Sequence, residues 1–85
     1  MPADLESQYF ALLDSLLSAR ARFVAMRDAY RFRAYDNAST HAVRMGCTSK
    51  MKTLNGVIGR LDFMISHNRK EIVARWGEDA FPLNK

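Results

Sequence analysis

The chain has 85 residues, so it forms one domain at most and buries only a small core. Its single cysteine, Cys47, excludes an intramolecular disulfide, and the absence of a disulfide framework is typical of proteins in the reducing cytoplasm. The N-terminus is acidic rather than signal-like, and no apolar run approaches the roughly 18 residues of a membrane span. These features predict a soluble cytoplasmic protein that does not contact a membrane.

The net charge of +4 is distributed unevenly along the chain. Residues 1–19 contain three acidic and no basic side chains, whereas residues 20–75 contain twelve lysines or arginines and four acidic residues. A basic body with an acidic start is compatible with two kinds of partner. One is nucleic acid, and the other is a second copy of the chain that packs head to tail or antiparallel.

The first part of the chain predicts a helix over about residues 4–36. Pro2 and Asp4 suit a first helical turn, because proline has no N–H to leave unpaired and a carboxylate favours the positive end of the helix dipole. Apolar residues then recur at alternating intervals of four and three, the spacing that keeps one stripe of a helix facing a partner. This predicted stripe comprises Leu5, Tyr9, Leu12, Leu16, Ala19, Phe23, Met26 and Tyr30.

Four further apolar residues widen this stripe, namely Phe10, Leu13, Leu17 and Val24. A wide apolar stripe is typical of a helix that packs against more than one neighbour. A single helical hairpin would leave these four side chains partly exposed, and exposed apolar clusters mark interfaces. We therefore expect the hairpin to dimerise into a four-helix bundle, or else to dock through this face on another protein.

Two positions are compatible with the turn between the helices. Residues 36–40 are Asp, Asn, Ala, Ser and Thr, and the polar side chains among them compete with helical hydrogen bonds and favour turns. At residues 45–49, Gly46 could end one helix and Thr48 or Ser49 could begin the next. The first position gives two helices of similar length, and we favour it.

The second predicted helix spans about residues 40–76. Its stripe comprises Cys47, Met51, Leu54, Ile58, Leu61, Ile65 and Ile72, with Asn68 at one position of the same repeat. The repeat stays in phase across Gly56 and Gly59, so we expect one continuous helix there, although each glycine weakens a helix. Close approach of another backbone would compensate for that weakening; a local kink is the alternative.

Asn68 and Trp76 are further interface candidates on this helix. A polar residue in an apolar stripe fixes the register of a helical partner at a cost in stability, unless the helix rotates and exposes Asn68 to water. Trp76 either fills the core near the helix end or, if exposed, anchors a partner.

The chain divides into a helical domain over residues 1–76 and a short tail over residues 77–85. Gly77 is the stop signal after the second helix, because glycine is enriched just past helix ends. Phe81 and Pro82 either fold the tail back over Trp76 or leave it frayed.

The sequence contains no pattern typical of catalysis or metal binding. His41, Cys47 and His67 are separated by six and twenty residues, which matches no zinc spacing. No phosphate loop or nucleophile elbow occurs, and the apolar stripe around Cys47 disfavours a thiolate. We therefore expect no enzymatic activity and no cofactor. A small-molecule site in the core would be lined by residues that plain packing also explains, namely Tyr9, Phe23, Met26, Met51 and Met64.

These observations favour a small non-catalytic protein–protein interaction module, an adaptor or inhibitor that acts through an exposed helix face. The alternative is a protein that binds the phosphate backbone of nucleic acid, because cationic side chains release counterions from phosphate and nearby aromatic rings stack on bases. Its candidate residues are Arg20, Arg22, Arg27, Arg31, Arg33, Lys50 and Lys52. Long arginine stems that flank a buried stripe also reach water without any nucleic acid.

Overall fold

The computed structural model describes residues 4–81, which form two long helices. Helix α1 spans Leu5–Ala34 and helix α2 spans His41–Trp76, followed by one 3₁₀ turn at Glu78–Ala80. The two helices pack against each other, so the predicted all-α hairpin is confirmed, and its bounds lie within two residues of the predicted ones. Pro2 and Pro82, which entered the predictions, lie outside the described residues.

Helix α1 begins at a side-chain cap. The carboxylate of Asp4 accepts a hydrogen bond of 2.7 Å from the backbone N–H of Ser7. This bond satisfies one of the unpaired donors of the first turn, and it lowers the pKa of Asp4 below its ordinary value. Arg31 and Arg33 in the last turn complement the negative end of the same helix.

The turn between the helices lies at residues 35–40, which confirms the favoured position and excludes the one at 45–49. The carboxylate of Asp36 accepts from the N–H of Ala38, and its carbonyl oxygen accepts from the N–H of Ser39, both at 3.0 Å. Thr40 then caps α2 by accepting from the N–H of Val43 at 3.2 Å. The polar cluster therefore reverses the chain, and Gly46 lies inside α2.

The hairpin is antiparallel and one helix thick. The ring of Tyr9 near the start of α1 packs edge-on against Trp76 at the end of α2, with centroids 5.4 Å apart. Midway along, Arg20 pairs with Asp62 across the two helices. The molecule measures 53 × 31 × 16 Å, and its longest dimension matches the roughly 54 Å expected for the 36 residues of α2. No second layer covers either broad side of the described hairpin.

The buried stripe of α2 matches the prediction. Cys47, Leu54, Ile58, Leu61, Ile65, Asn68 and Ile72 are buried, and Met51 is half-buried. The helix continues through Gly56 and Gly59, as its repeat predicted.

The buried stripe of α1 differs from the predicted one. It comprises Tyr9, Leu13, Leu16, Arg20, Phe23, Arg27, Tyr30 and Ala34, all buried or half-buried. The alternation of four and three is preserved, but every second position has moved to the other flank of the helix. The prediction that Leu5, Leu12 and Met26 face α2 is therefore wrong, since all three are exposed.

The cause of this rotation lies in the partner helix. Tyr9, Leu16, Phe23 and Tyr30 belong to both stripes, but the observed stripe contains Arg20 and Arg27, so the apolar spacing alone favours the predicted one. The observed rotation brings Arg20 to Asp62 and Arg27 to Asn55 on α2. These contacts are between helices, so the repeat within α1 contains no signal for them.

The tail folds back onto the hairpin at its first residues. Gly77 has φ of +83°, a backbone conformation that glycine adopts at no steric cost, and its N–H bonds to the carbonyl of Val73 at 2.8 Å. The ring of Phe81 then packs on Phe10, with centroids 5.5 Å apart. Phe81 therefore joins the edge of the core next to Phe10.

Candidate protein-interaction face

An apolar groove runs along one side of the hairpin, between the first half of α1 and the second half of α2. Its volume is about 490 Å³, and its lining residues are Leu5, Gln8, Tyr9, Leu12, Leu16, Phe63, Met64, His67, Asn68 and Glu71. Leu5, Leu12 and Met64 are about half exposed, and Phe63 is 73 % exposed. The groove therefore presents four large apolar side chains to solvent.

The groove continues into a line of small and apolar residues along α1, which we call the open stripe. It consists of Leu5, Leu12, Ala19 and Met26, spaced seven residues apart. Seven residues are nearly two helical turns, so these side chains lie on one line about 31 Å long. Leu5, Leu12 and Met26 are exposed, and Ala19 is half-buried at the edge of the core, so α2 leaves most of the open stripe uncovered.

Asn68 forms part of the inner wall of the groove. It is 4 % exposed, and its side-chain oxygen Oδ1 has no hydrogen-bond partner. The expectation that Asn68 occupies the buried stripe of α2 is confirmed, and the alternative that it faces water is wrong. A buried polar atom without a partner costs about 1–3 kcal/mol, so this residue weakens the isolated hairpin.

The opposite side of the hairpin is bridged by polar side chains. The guanidinium of Arg20 donates two hydrogen bonds to the carboxylate of Asp62, which raises the pKa of Arg20 above its ordinary value. Further toward the turn, Nη1 of Arg27 donates to Oδ1 of Asn55 at 3.2 Å. At the other end, Phe81 covers Phe10. The two sides of the hairpin therefore differ in chemistry.

Of the four residues predicted to be partly exposed on one flank of α1, one is buried in the core. Leu13 is 4 % exposed and belongs to the core, so the prediction that the hairpin leaves it open is wrong. Phe10 and Val24 are half-buried, and Leu17 is exposed. Because α1 turns this flank toward α2, the uncovered apolar surface lies on its other flank instead.

The remaining interface candidates lie elsewhere on α2. Gly56 and Gly59 are exposed, and a Cβ atom at either position would meet no atom within 4 Å. No backbone of the described hairpin therefore approaches them, contrary to the compensation expected from the sequence. Trp76 is half-buried against Tyr9 and fills the end of the core.

Two of the predicted phosphate-binding cations are engaged within the hairpin. Arg20 bonds to Asp62, and Arg27 bonds to Asp28 and Asn55. Helical spacing places Arg22 and Arg33 on the other side of α1 from these two. Of the other candidates, Arg31 and Lys52 are exposed. The Nζ atom of Lys50 lies over the ring of Tyr30, 6.0 Å from its centroid.

The described residues contain neither a cluster of metal-binding side chains nor a helix suited to span a membrane. Within residues 4–81, no group of three or more histidine, cysteine or acidic side chains is placed to hold a metal ion. Cys47 is a free thiol buried in the core. Neither helix of the described range is long and apolar enough to cross a membrane.

Phe63 is the face residue that the sequence reasoning missed. It falls between the positions of the α2 repeat, so a search for the repeat alone passes over it. The position of Phe63 was the available signal, because a large aromatic residue outside the buried stripe of a helix is an exposed apolar group.

Comparison of the chain with protein-family models, curated proteins and solved structures finds no match.

Proposed function

We propose that this chain is a small non-catalytic protein–protein interaction module, an adaptor or inhibitor that acts through an exposed helix face. The face consists of the open stripe and the groove beside it. One observation carries the proposal: Leu5, Leu12, Phe63 and Met64 form a continuous apolar lining that the hairpin leaves uncovered. Clustered apolar side chains of this size on a soluble domain are typical of surfaces that a partner covers.

The surface area of the chain supports association. A compact folded chain of this mass exposes about 5,100 Å², whereas the whole chain of 85 residues exposes 6564 Å². The difference of about 1,400 Å² exceeds the roughly 800 Å² that each partner buries in an interface of standard size. A hairpin that is one helix thick has this excess because neither helix is covered on its broad side.

We infer that the first partner is a second copy of the chain, and that two hairpins form a four-helix bundle. Packing two apolar faces together gives each helix a second neighbour, which is the usual way in which helical hairpins complete a core. The buried free thiol of Cys47 is compatible with a reducing cytoplasmic location, which stays a prediction.

Light scattering tests this proposal. We expect the wild-type chain at micromolar concentration to show twice its chain mass of 9.7 kDa. Leu12→Asp places a charge in the centre of the face and should give a monomer that keeps its helical circular dichroism, because Leu12 is not part of the hairpin core. Met45→Asp is the matched control: Met45 is 59 % exposed and lies outside the groove, so the dimer should persist.

Two results would contradict the proposal. A wild-type chain that stays monomeric removes the homodimer, and the face then needs a different protein partner. A dimer that survives Leu12→Asp shows that the association uses another surface.

The alternative function, binding of nucleic acid through the basic residues, has one feature in its favour. Arg31 lies beside Phe32 and Tyr35 at an open hollow near the turn, and both rings are exposed. A mobility shift with generic DNA or RNA that falls steeply with salt and disappears on charge reversal at Arg31 and Arg33 would support this alternative.

A further inference from the structure

We propose that the two copies pack α1 against α1 in antiparallel orientation, so that Leu12 of each chain lies on Ala19 of the other. This inference rests on the proposed function, because it names the partner's orientation on the same face. Two hairpins can pack in three arrangements. In the first two, α1 packs on the partner's α1, either antiparallel or parallel to it. In the third, α1 packs on the partner's α2.

The order of residues in the open stripe is self-complementary in the antiparallel arrangement. A two-fold axis midway between Leu12 and Ala19 brings each Leu12 onto the partner's Ala19 and each Leu5 onto the partner's Met26. A large residue then faces a small one at both central contacts, which lets the helices approach and interdigitate. A parallel pair instead places Leu12 on Leu12 and Ala19 on Ala19, which alternates crowded and empty layers.

The charges of α1 favour the same arrangement. Its acidic residues, Asp4 at the cap together with Glu6 and Asp14, all lie in the first half. The second half carries Arg20, Arg22, Arg27, Arg31 and Arg33 against the single acidic residue Asp28. In this register, residues 4–15, with charge −3, lie along the partner's residues 16–27, which contain Arg20, Arg22 and Arg27 and have charge +3, and this contact occurs twice. Parallel packing would place like charges together.

Packing of α1 on the partner's α2 is the remaining arrangement. When the two-fold axis runs along the bundle, the basic half of α1 faces the first half of the partner's α2. That segment, residues 41–59, contains Arg44, Lys50 and Lys52 and no acidic residue. The arrangement therefore sets +4 against +3, and the acidic half of α1, at −3, against +2, so its repulsion outweighs its attraction. In the antiparallel α1 pair, the overlapping part of α2 sets residues 57–66, with charge 0, against the partner's residues 67–76, with charge +2. The attraction between −3 and +3 along α1 is therefore not opposed by repulsion along α2.

Disulfide trapping distinguishes the three arrangements. Equal amounts of Leu12→Cys and Ala19→Cys chains are mixed, oxidised gently and analysed by intact mass spectrometry, which separates the mixed product from the two homodimers. We expect the mixed disulfide to dominate, because residues 12 and 19 face each other across the axis. Two copies of residue 12 are then about 10 Å apart along the helices, beyond the roughly 7 Å between Cα atoms that a disulfide spans.

Controls complete the design. The wild-type chain shows how far the buried Cys47 reacts by itself. A Met64→Cys chain mixed with Ala19→Cys reports on packing of α1 against the partner's α2, since the Arg20–Asp62 pair places residues 19 and 64 at nearly the same level of the hairpin. Each single variant oxidised alone reports on parallel packing.

The outcomes separate this inference from the proposed function. A dominant link between residues 12 and 19 supports the antiparallel α1 pair. A dimer that instead links residue 12 to residue 12, links residue 19 to residue 64, or forms no link between residues 12 and 19 overturns the orientation and leaves the interaction face intact. A chain that is monomeric by light scattering overturns the homodimer itself, together with this arrangement.

Discussion

Asn68 occupies a position at which an apolar side chain would serve the isolated hairpin better. The residues before and after it in the buried stripe are Ile65 and Ile72, and both are buried. Its own Oδ1 atom is buried without a hydrogen-bond partner. The spacing of the sequence was sufficient to place Asn68 in the stripe, but an unpaired oxygen depends on which atoms of α1 come near it, and the sequence does not contain that information.

Replacing Asn68 measures directly how much this residue lowers the free energy of unfolding. We expect Asn68→Leu to raise the free energy of unfolding by about 1–2 kcal/mol, because it removes an unpaired buried acceptor and adds apolar area to the core. Asn55→Leu is the control in the same helix. Asn55 is exposed and accepts from Arg27, so the same substitution there should not stabilise the protein.

Urea unfolding followed by circular dichroism measures both variants at one protein concentration. A loss of stability in Asn68→Leu would show that the side chain of Asn68 makes a bond in solution that outweighs its burial. If the variant is more stable but associates differently, Asn68 sets the register of the assembly, as polar residues in apolar stripes can.

The two helices differ in how fully the sequence predicts them. In α2, one repeat accounts for every buried position, because the residues on either side of it are mostly polar or glycine. In α1, two repeats overlap: the predicted one is apolar at every position, whereas the observed one contains Arg20 and Arg27. The bounds and type of both helices therefore follow from the sequence. The rotation of α1 depends on contacts with α2 such as that between Arg20 and Asp62.

The glycines of α2 provide a prediction at the level of the helix. We expect Gly56→Ala and Gly59→Ala each to raise the free energy of unfolding by about 1 kcal/mol, because alanine loses less backbone entropy and a Cβ meets no atom within 4 Å at either site. Gly77→Ala is the control with the opposite sign. Its φ of +83° is strained for alanine, so this variant should be less stable.

Thermal unfolding of the three variants provides the measurement. Should Gly56→Ala or Gly59→Ala destabilise the protein or weaken its association, another chain must approach the outer surface of α2 closely. That result would restore the close approach expected from the sequence, between molecules rather than within one.

At the scale of the whole molecule, the sequence predicted that apolar residues are left uncovered, but not which residues are the most exposed. The total of apolar residues exceeds what one helix–helix interface can bury, and this excess does not depend on the rotation of α1. The identity of the uncovered residues does depend on it. Phe10, Leu13 and Val24 turn toward the hairpin, and the open stripe with the groove takes their place.

A molecule with this excess should gain stability by association, so its unfolding should depend on concentration. For a dimer that unfolds to two separate chains, each tenfold increase in concentration adds about 1.4 kcal/mol to the free energy of unfolding. With the usual unfolding entropy for two chains of 85 residues, this corresponds to a rise in Tm of about 4 °C.

Scanning calorimetry over two decades of concentration tests this expectation. The wild-type Tm should rise with concentration, whereas the Tm of Leu12→Asp should stay constant, because that variant cannot close the apolar faces on each other. Met45→Asp should behave as the wild type does, since Met45 lies outside the groove. A wild-type Tm that is independent of concentration would mean that the hairpin is stable without a second copy. The uncovered face would then be held open for a different partner.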